Sequence, residues 1–358
     1  MGGSMKILFV DTALQGHHAT YLQSLLNAAG GECVVCAPAG GEAIYTRAAR
    51  FYPISELKTS WKAYWKNLFL LVKIARIEKP DIVHLVYGDA WFRFAGIGLS
   101  LIPGKKVMTC HQIRHWDRLS IHIYRKFSKW ARFLVFHTED LTERMRERGI
   151  HHAVHIEYPQ FNVNMAISRE AARQKIGIPN NDTPVILALG GTGILKGLDI
   201  LLQALNHVES PFYLLVAGKP VDFSVDYIRE QSRAYQERVL LKPYFLSEEE
   251  VDDCLKACDV VCLPYRRKFD GASGPMGEGV VRSKLIVGPN HGSLGKTIRD
   301  HHLGITFETE DVNSLANALE HALKLKWKPD ERYEAYQSQL DPKRFEAEYA
   351  KLYAGIMQ

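Results

Sequence analysis

Residues 185–206 read VILALGGTGILKGLDILLQALN: five apolar residues, a turn with glycines at 190, 191, 193 and 197, and then apolar positions at helical spacing. A short unbroken apolar run is a strand buried on both faces, and a helix that follows it directly is the crossover of a parallel sheet. This one unit sets the reading of the whole chain as α/β.

The same unit recurs on either side. Downstream, apolar runs fall at 212–217, 239–242, 259–263, 284–287 and 304–307; upstream they fall at 6–10, 32–37, 79–85, 105–111 and 133–136. Helix-like stretches lie between them, among them 18–29 and the aromatic, basic 61–78. Residues 159–184 are polar and irregular, which reads as a linker with one short helix at 169–176. The chain of 358 residues and 40.6 kDa exceeds what one hydrophobic core serves. The expected architecture is therefore two doubly wound, Rossmann-like domains, 5–160 and 161–341. Ligands of such sheets bind beyond the carboxyl ends of the strands, so two of them facing each other would form a cleft.

Charge divides along the chain. The total is +5, but residues 5–160 hold 21 basic and 13 acidic side chains (+8) and residues 161–358 hold 24 and 27 (−3). That split argues against nucleic acid as a partner and for an anionic surface met by the first half alone. No apolar run approaches the roughly 20 residues of a membrane-spanning helix. Residues 1–4 precede a second methionine and read as an appended tag, and residues 5–10 read as a strand without a cleavage site. Six cysteines, at 33, 36, 110, 254, 258 and 262, read as core thiols of a cytoplasmic protein, with no zinc spacing among them.

Three loops carry candidate chemistry. The first strand is followed by a single glycine, Gly16, where a nicotinamide dehydrogenase would have three, so hydride transfer is not expected. In the 190–197 loop, Gly190, Gly191 and Thr192 allow close backbone approach, and Lys196 with the following helix start would meet a diphosphate. A flexible turn with a solvated lysine has the same pattern. Residues 269–279 read FDGASGPMGEG, with four glycines between 271 and 279. Amides from Ser273 to Gly277 would open a helix, and Asp270 and Glu278 could accept sugar or ribose hydroxyls or simply cap it. Residues 290–297, NHGSLGKT, nearly match a phosphate-binding P-loop but have Asn290 at the first glycine, which leaves a kinase or ATPase as a lesser alternative.

Taken together, KPDIVH at 79–84, a strand ending in His111, the GGTGILKG loop, VAG at 216–218, LSEEEV at 246–251, ACDVVCLPY at 257–265 and SGPMGEG at 273–279 resemble the GT-B glycosyltransferases. The match is to retaining glycosyltransferase family 4, also called group 1. The resemblance implies a nucleoside-diphosphate sugar, UDP- or GDP-linked, as donor, a glycan or lipid-linked glycan hydroxyl as acceptor, retention of configuration, no cofactor and no metal. It implies that Lys196 neutralises the diphosphate, that Glu278 holds the ribose and that Asp270 meets the transferred sugar. Ser273, Gly274 and Met276 would offer backbone donors, Tyr244 would lie by the nucleobase, His111 by the sugar, and Gly16 by the diphosphate. It also implies a terminal helix, about 342–358, crossing back to the first domain. A sugar-nucleotide epimerase or a non-catalytic donor-binding subunit would share these features. The chain departs from the family in having Gly191 where an arginine is usual and Asp270 where glutamate is usual. Arg266, Arg267, Lys268 and Arg282 are the candidates to replace the missing cation.

On the acceptor side, Tyr124, Phe127 and Trp130 recur every three residues among cations, and Trp61, Tyr64, Trp65, Leu68, Phe69 and Val72 form a second such stretch. Each reads either as a helix lying on an anionic membrane or as one packing its aromatics on its own sheet. If they bind lipid, the protein works at the inner face of the membrane.

Overall fold

The computed structural model describes residues 5–14, 18–113, 115–161, 163 and 167–358. The chain divides into two compact units, one of residues 1–158 with 342–358 and one of residues 159–341.

Unit 1 contains β1 (Lys6–Val10), α1 (His18–Ala28), β2 (Glu32–Pro38), β3 (Arg50–Ile54), α2 (Trp61–Glu78) and β4 (Ile82–Leu85). It continues with α3 (Gly88–Phe92), β5 (Lys105–Cys110), α4 (Arg118–Ser128), β6 (Ala131–Phe136), α5 (Glu139–Glu147) and β7 (Ala153–His155). The strands form one parallel sheet in the order β3-β2-β1-β4-β5-β6-β7. Its centre is covered on both faces, which is why β1 is apolar at successive positions: Leu8 and Val10 enter the core that includes Tyr64, Leu68 and Phe127, while Phe9 turns to His84 and Tyr353. β3 escapes the sequence reading because Pro53 interrupts its apolar pattern, and the sheet tolerates that proline at its edge.

Unit 2 runs α6 (Arg169–Ile176), β8 (Val185–Leu189), α7 (Leu198–Ala204), β9 (Tyr213–Ala217), α8 (Val225–Gln231), β10 (Val239–Lys242), α9 (Glu248–Ala257) and β11 (Val260–Cys262). α10 (Gly274–Val281), β12 (Leu285–Pro289), α11 (Gly292–Asp300), β13 (Gly304–Phe307), α12 (Val312–Lys324) and α13 (Glu331–Gln339) complete it. Its parallel sheet has the order β10-β9-β8-β11-β12-β13. The stretch expected as a linker is an integral part of this unit. Arg173 on α6 is fully buried and donates to the carbonyls of Asn181, Thr183 and Ala257 and to Asp259, so it gathers in the carbonyls of a segment that has few apolar groups of its own.

The last helix, α14 (Pro342–Met357), returns to unit 1. It is held there by a buried chain of hydrogen bonds whose direction is set at one end. Ile156 O can only accept, so His137 Nδ1 donates to it and His137 Nε2 accepts from Tyr21 Oη at 3.0 Å. Tyr349 then donates to Tyr21, Thr109 to Tyr349, His84 Nε2 to Thr109, and Tyr353 to His84 Nδ1.

The two aromatic, basic stretches part company. On α4, Tyr124 and Phe127 are buried and Trp130 beyond it is half-buried, so that stretch packs on its own sheet. On α2, Tyr64 and Leu68 are buried but Trp61, Trp65 and Phe69 are exposed. The six cysteines are buried free thiols, and burial pushes Cys33 up to about 11 and Cys254 to about 12. No helix among the described residues is long and apolar enough to cross a membrane.

Candidate functional site in unit 2

The loops leaving β8 and β9 are closely joined. Gly190 N–H donates to Ala217 O, and Gly218 N–H to Lys242 O. Gly218 has φ +150°, and a Cβ there would lie 2.1 Å from Gly190 O, so only glycine permits this approach. Thr192 is the brace between the two loops. Its hydroxyl donates to Phe223 O and accepts from Val221 N–H, and its own amide donates to Lys219 O. Both roles of the Thr192 hydroxyl are thus occupied by protein. The amides of Gly190, Thr192, Gly193, Ile194 and Lys196 also donate within the protein, so the loop is not the open cradle its glycines suggested.

What the loop presents is Lys196. Its ammonium donates to Tyr265 Oη at 2.5 Å and lies 4.0 Å from the Tyr265 ring centroid and 4.9 Å from that of Phe269. Tyr265 follows β11 and is buried, and its hydroxyl also accepts from Ser273 Oγ at 3.2 Å. Gly190, Gly191, Thr192, Lys196, Leu198 and Tyr265 are among the residues lining one pocket. Gly197, at φ +65°, closes this turn over β11, since a Cβ there would stand 1.9 Å from Pro264 O. Tyr265 was not singled out from the sequence. Its role depends on proximity to residues far away in the chain, which no local pattern reports.

The cations expected to replace the missing arginine are mostly engaged. Arg266 bonds Asp199 and Ile194 O, and Arg267 pairs with Glu308. Arg282 is buried between Glu278 and Asp252. Lys268 and Lys219 are exposed.

α10 begins where the sequence placed it. Ser273 is its N-cap, accepting from Met276 N–H, and Pro275 has no N–H. The expected backbone donor at Met276 is thus corrected to a capped amide, and Gly274 keeps the unspent one of the first turn. Pro275 Cγ lies 3.8 Å from where a Gly190 Cβ would be, which sets the start of α10 beside the β8 loop. Glu278 Oε2 accepts from Arg282 at 2.5 Å, and burial raises the Glu278 carboxyl above the ordinary range despite that guanidinium. Asp270 is buried and accepts from the hydroxyl of Ser293 at 2.8 Å and from its amide at 3.3 Å. It caps α11, whose own N-cap, His291, supplies no side-chain acceptor. This also disposes of the P-loop alternative: Gly295 and Lys296 lie inside α11, and a carboxylate occupies the helix start where a phosphate would sit. Tyr244 stands apart after the edge strand β10, exposed, with its hydroxyl on Glu250.

In unit 1, His111 stacks on Tyr87 at 3.8 Å, and Tyr87 stacks on His18 at 3.7 Å on its other side. His111 Nε2 donates to Val86 O, and burial holds the ring well below the usual imidazole range, so it is neutral. His18 donates from Nδ1 to the buried Asp11 at 2.8 Å. Gly16 lies outside the described residues.

Comparison with known proteins accords with this arrangement. Residues 15–159 match the model of Glycosyltransferase Family 4, and residues 183–324 match that of Glycosyl transferases group 1. A D-inositol 3-phosphate glycosyltransferase of Xylanimonas cellulosilytica is 28% identical over 158 residues, a stretch that spans 43% of this chain and only 37% of that protein. A glycosyltransferase from Rickettsia africae superposes with a TM-score of 0.79 at 17% identity, covering 99% of both chains. Anabaena HepE, solved with UDP and glucose, superposes with a TM-score of 0.77 at 15% identity, covering 98% of this chain and 100% of that one. With the two family models matching side by side over most of its length, and a fold shared with both solved structures, the chain belongs to the group 1, family 4 glycosyltransferases of GT-B fold.

Proposed function

We propose that the protein transfers a sugar from a UDP- or GDP-sugar to a hydroxyl of a glycan or lipid-linked glycan, with retention of configuration and without a metal. The setting would be the building of a polysaccharide or cell-surface glycan on the cytoplasmic side of the membrane. The observation that carries this reading is Lys196, which has no carboxylate partner among the described residues and is aimed by Tyr265 at the carboxyl ends of β8 and β11. The UDP in the HepE structure favours a nucleoside diphosphate as the group bound there.

Breaking the glycosyl phosphate bond leaves negative charge on the diphosphate and positive charge on the sugar. Lys196, the Gly274 amide and the start of α10 would stabilise the leaving group. In a front-face displacement the acceptor oxygen bonds to the anomeric carbon on the side the diphosphate leaves, and the acceptor proton passes to a phosphate oxygen. No protein nucleophile is needed, unlike the carboxylate pair of retaining hydrolases. Glu278, fixed by Arg282, would accept the ribose hydroxyls. Asp270 would act through α11, whose start it holds. The reading is tested by incubating the protein with UDP- and GDP-hexoses and following nucleoside diphosphate release. Release that Lys196→Ala and Glu278→Ala abolish supports it, and NMR of the product must show the donor's anomeric configuration; an inverted product would contradict retention.

A further inference from the structure

We propose that the outer face of α2 seats unit 1 on an anionic lipid surface. This sharpens the membrane contact that the proposed acceptor calls for, and it depends on no step of sugar transfer.

Eight residues of α2 are exposed: Trp61, Trp65, Phe69 and Ile77, and Lys62, Lys66, Lys73 and Arg76. Four are apolar and four are cationic. The one carboxylate of the helix, Glu78, is buried and engaged by Lys6, Arg50 and Tyr52. Near its start, the exposed Glu56 is paired with Lys58. Trp61, Trp65 and Phe69 are four residues apart and so form one stripe along the axis. Their rings touch in sequence, with centroids 6.4 and 6.2 Å apart. Phe69 is 71% exposed, although a helix that served only the core would bury it.

The apolar surface extends beyond the helix. Tyr64 Oη donates to Ile97 O at 2.6 Å and brings the loop after α3 against α2, where Ile97 and Leu101 are also exposed. Isolated exposed apolar side chains are ordinary, but a contiguous patch of them marks a binding surface. Aromatic rings beside long cationic side chains suit the headgroup boundary, where rings sink into the acyl edge and ammonium groups meet lipid phosphates. A second copy of the chain is a poor occupant, because a two-fold contact would set the four cations of one α2 against the same four of the other.

The test uses the full chain with phosphatidylcholine vesicles, with and without phosphatidylglycerol, and reads co-sedimentation and tryptophan emission. Binding to the anionic vesicles with a blue shift is expected. It should weaken by about tenfold or more both in Trp65→Ser with Phe69→Ser and in Lys62→Glu with Lys66→Glu. Stabilisation by UDP should be unchanged in both double variants, which shows that they fold. Absence of binding, undiminished binding in either double variant, or a self-association that the aromatic variant abolishes while vesicles remain unbound would each overturn the proposal. Vesicle binding without any response to UDP would support it and count against the donor reading alone.

Discussion

Lys196 and Tyr265, 69 positions apart in sequence, meet so that the ammonium donates to the phenol hydroxyl while lying over the same ring. Because Ser273 donates to that hydroxyl too, one tyrosine links the glycine turn after β8 to the N-cap of α10. Lys196→Ala should weaken UDP or GDP binding by at least about tenfold, roughly 1.4 kcal/mol. Tyr265→Phe keeps the ring face and should cost only a few-fold. Calorimetric titration of both variants checks the order, and equal losses would mean that the hydroxyl, not the charge, dominates.

Asp270 makes a different prediction from the one its place in the sequence suggests. As the cap of α11 its removal costs stability, about 1 kcal/mol for Asp270→Ala, while Asp270→Asn still accepts from Ser293 and should cost less. Urea unfolding of the two variants, set beside Ser293→Ala, reads this directly.

Arg282 neutralises two carboxylates in a site where its own side chain is almost unexposed. Replacing it by methionine would leave Glu278 and Asp252 without their cation. Losing one partner of such a cluster costs about 3–5 kcal/mol, so Arg282→Met should lower the urea midpoint far more than Arg267→Met at the surface.

Acid should act on unit 1 through its buried imidazoles. Burial lowers His84 to about 3 and His137 to about 4, and holds His111 well below 6.5. In the unfolded chain these rings take up protons as pH falls through 6.5, while in the folded chain they do not. The stability they contribute is therefore complete above pH 6.5 and is lost as pH falls toward 4 and 3, at about 1.4 kcal/mol per pH unit for each ring. Unfolding free energies at pH 7 and pH 5 should differ accordingly, and His84→Gln should flatten the dependence by about one proton.

Much of this was legible in the sequence where one residue type has one physical use. All six strands of unit 2 could be read, the central β8, β9, β11 and β12 because a strand covered on both faces is apolar throughout and the edge strands β10 and β13 because short apolar runs stand out between turns and helices. The start of α10 at Ser273 could be read because an N-cap is a local signal. Other features were hidden, among them the three-residue strand β7 and three with a clear physical reason. β3 contains Pro53, which is tolerated only because that strand lies at an edge. Arg173 turns an apparent linker into packed structure by collecting carbonyls that the sequence cannot place. α2 and α4 have the same aromatic and basic pattern yet bury it differently, since the partner of a stripe is a tertiary fact.

The central claim, a nucleoside-diphosphate sugar bound at the loops of unit 2, is tested most directly by a thermal-shift panel of UDP, GDP, ADP and their sugars on the wild type and on Lys196→Ala. A nucleotide at a hundred times its Kd should stabilise the wild type by about 2.7 kcal/mol, and the variant much less. A wild type that responds to none of them, or a response that Lys196→Ala leaves intact, would contradict the account.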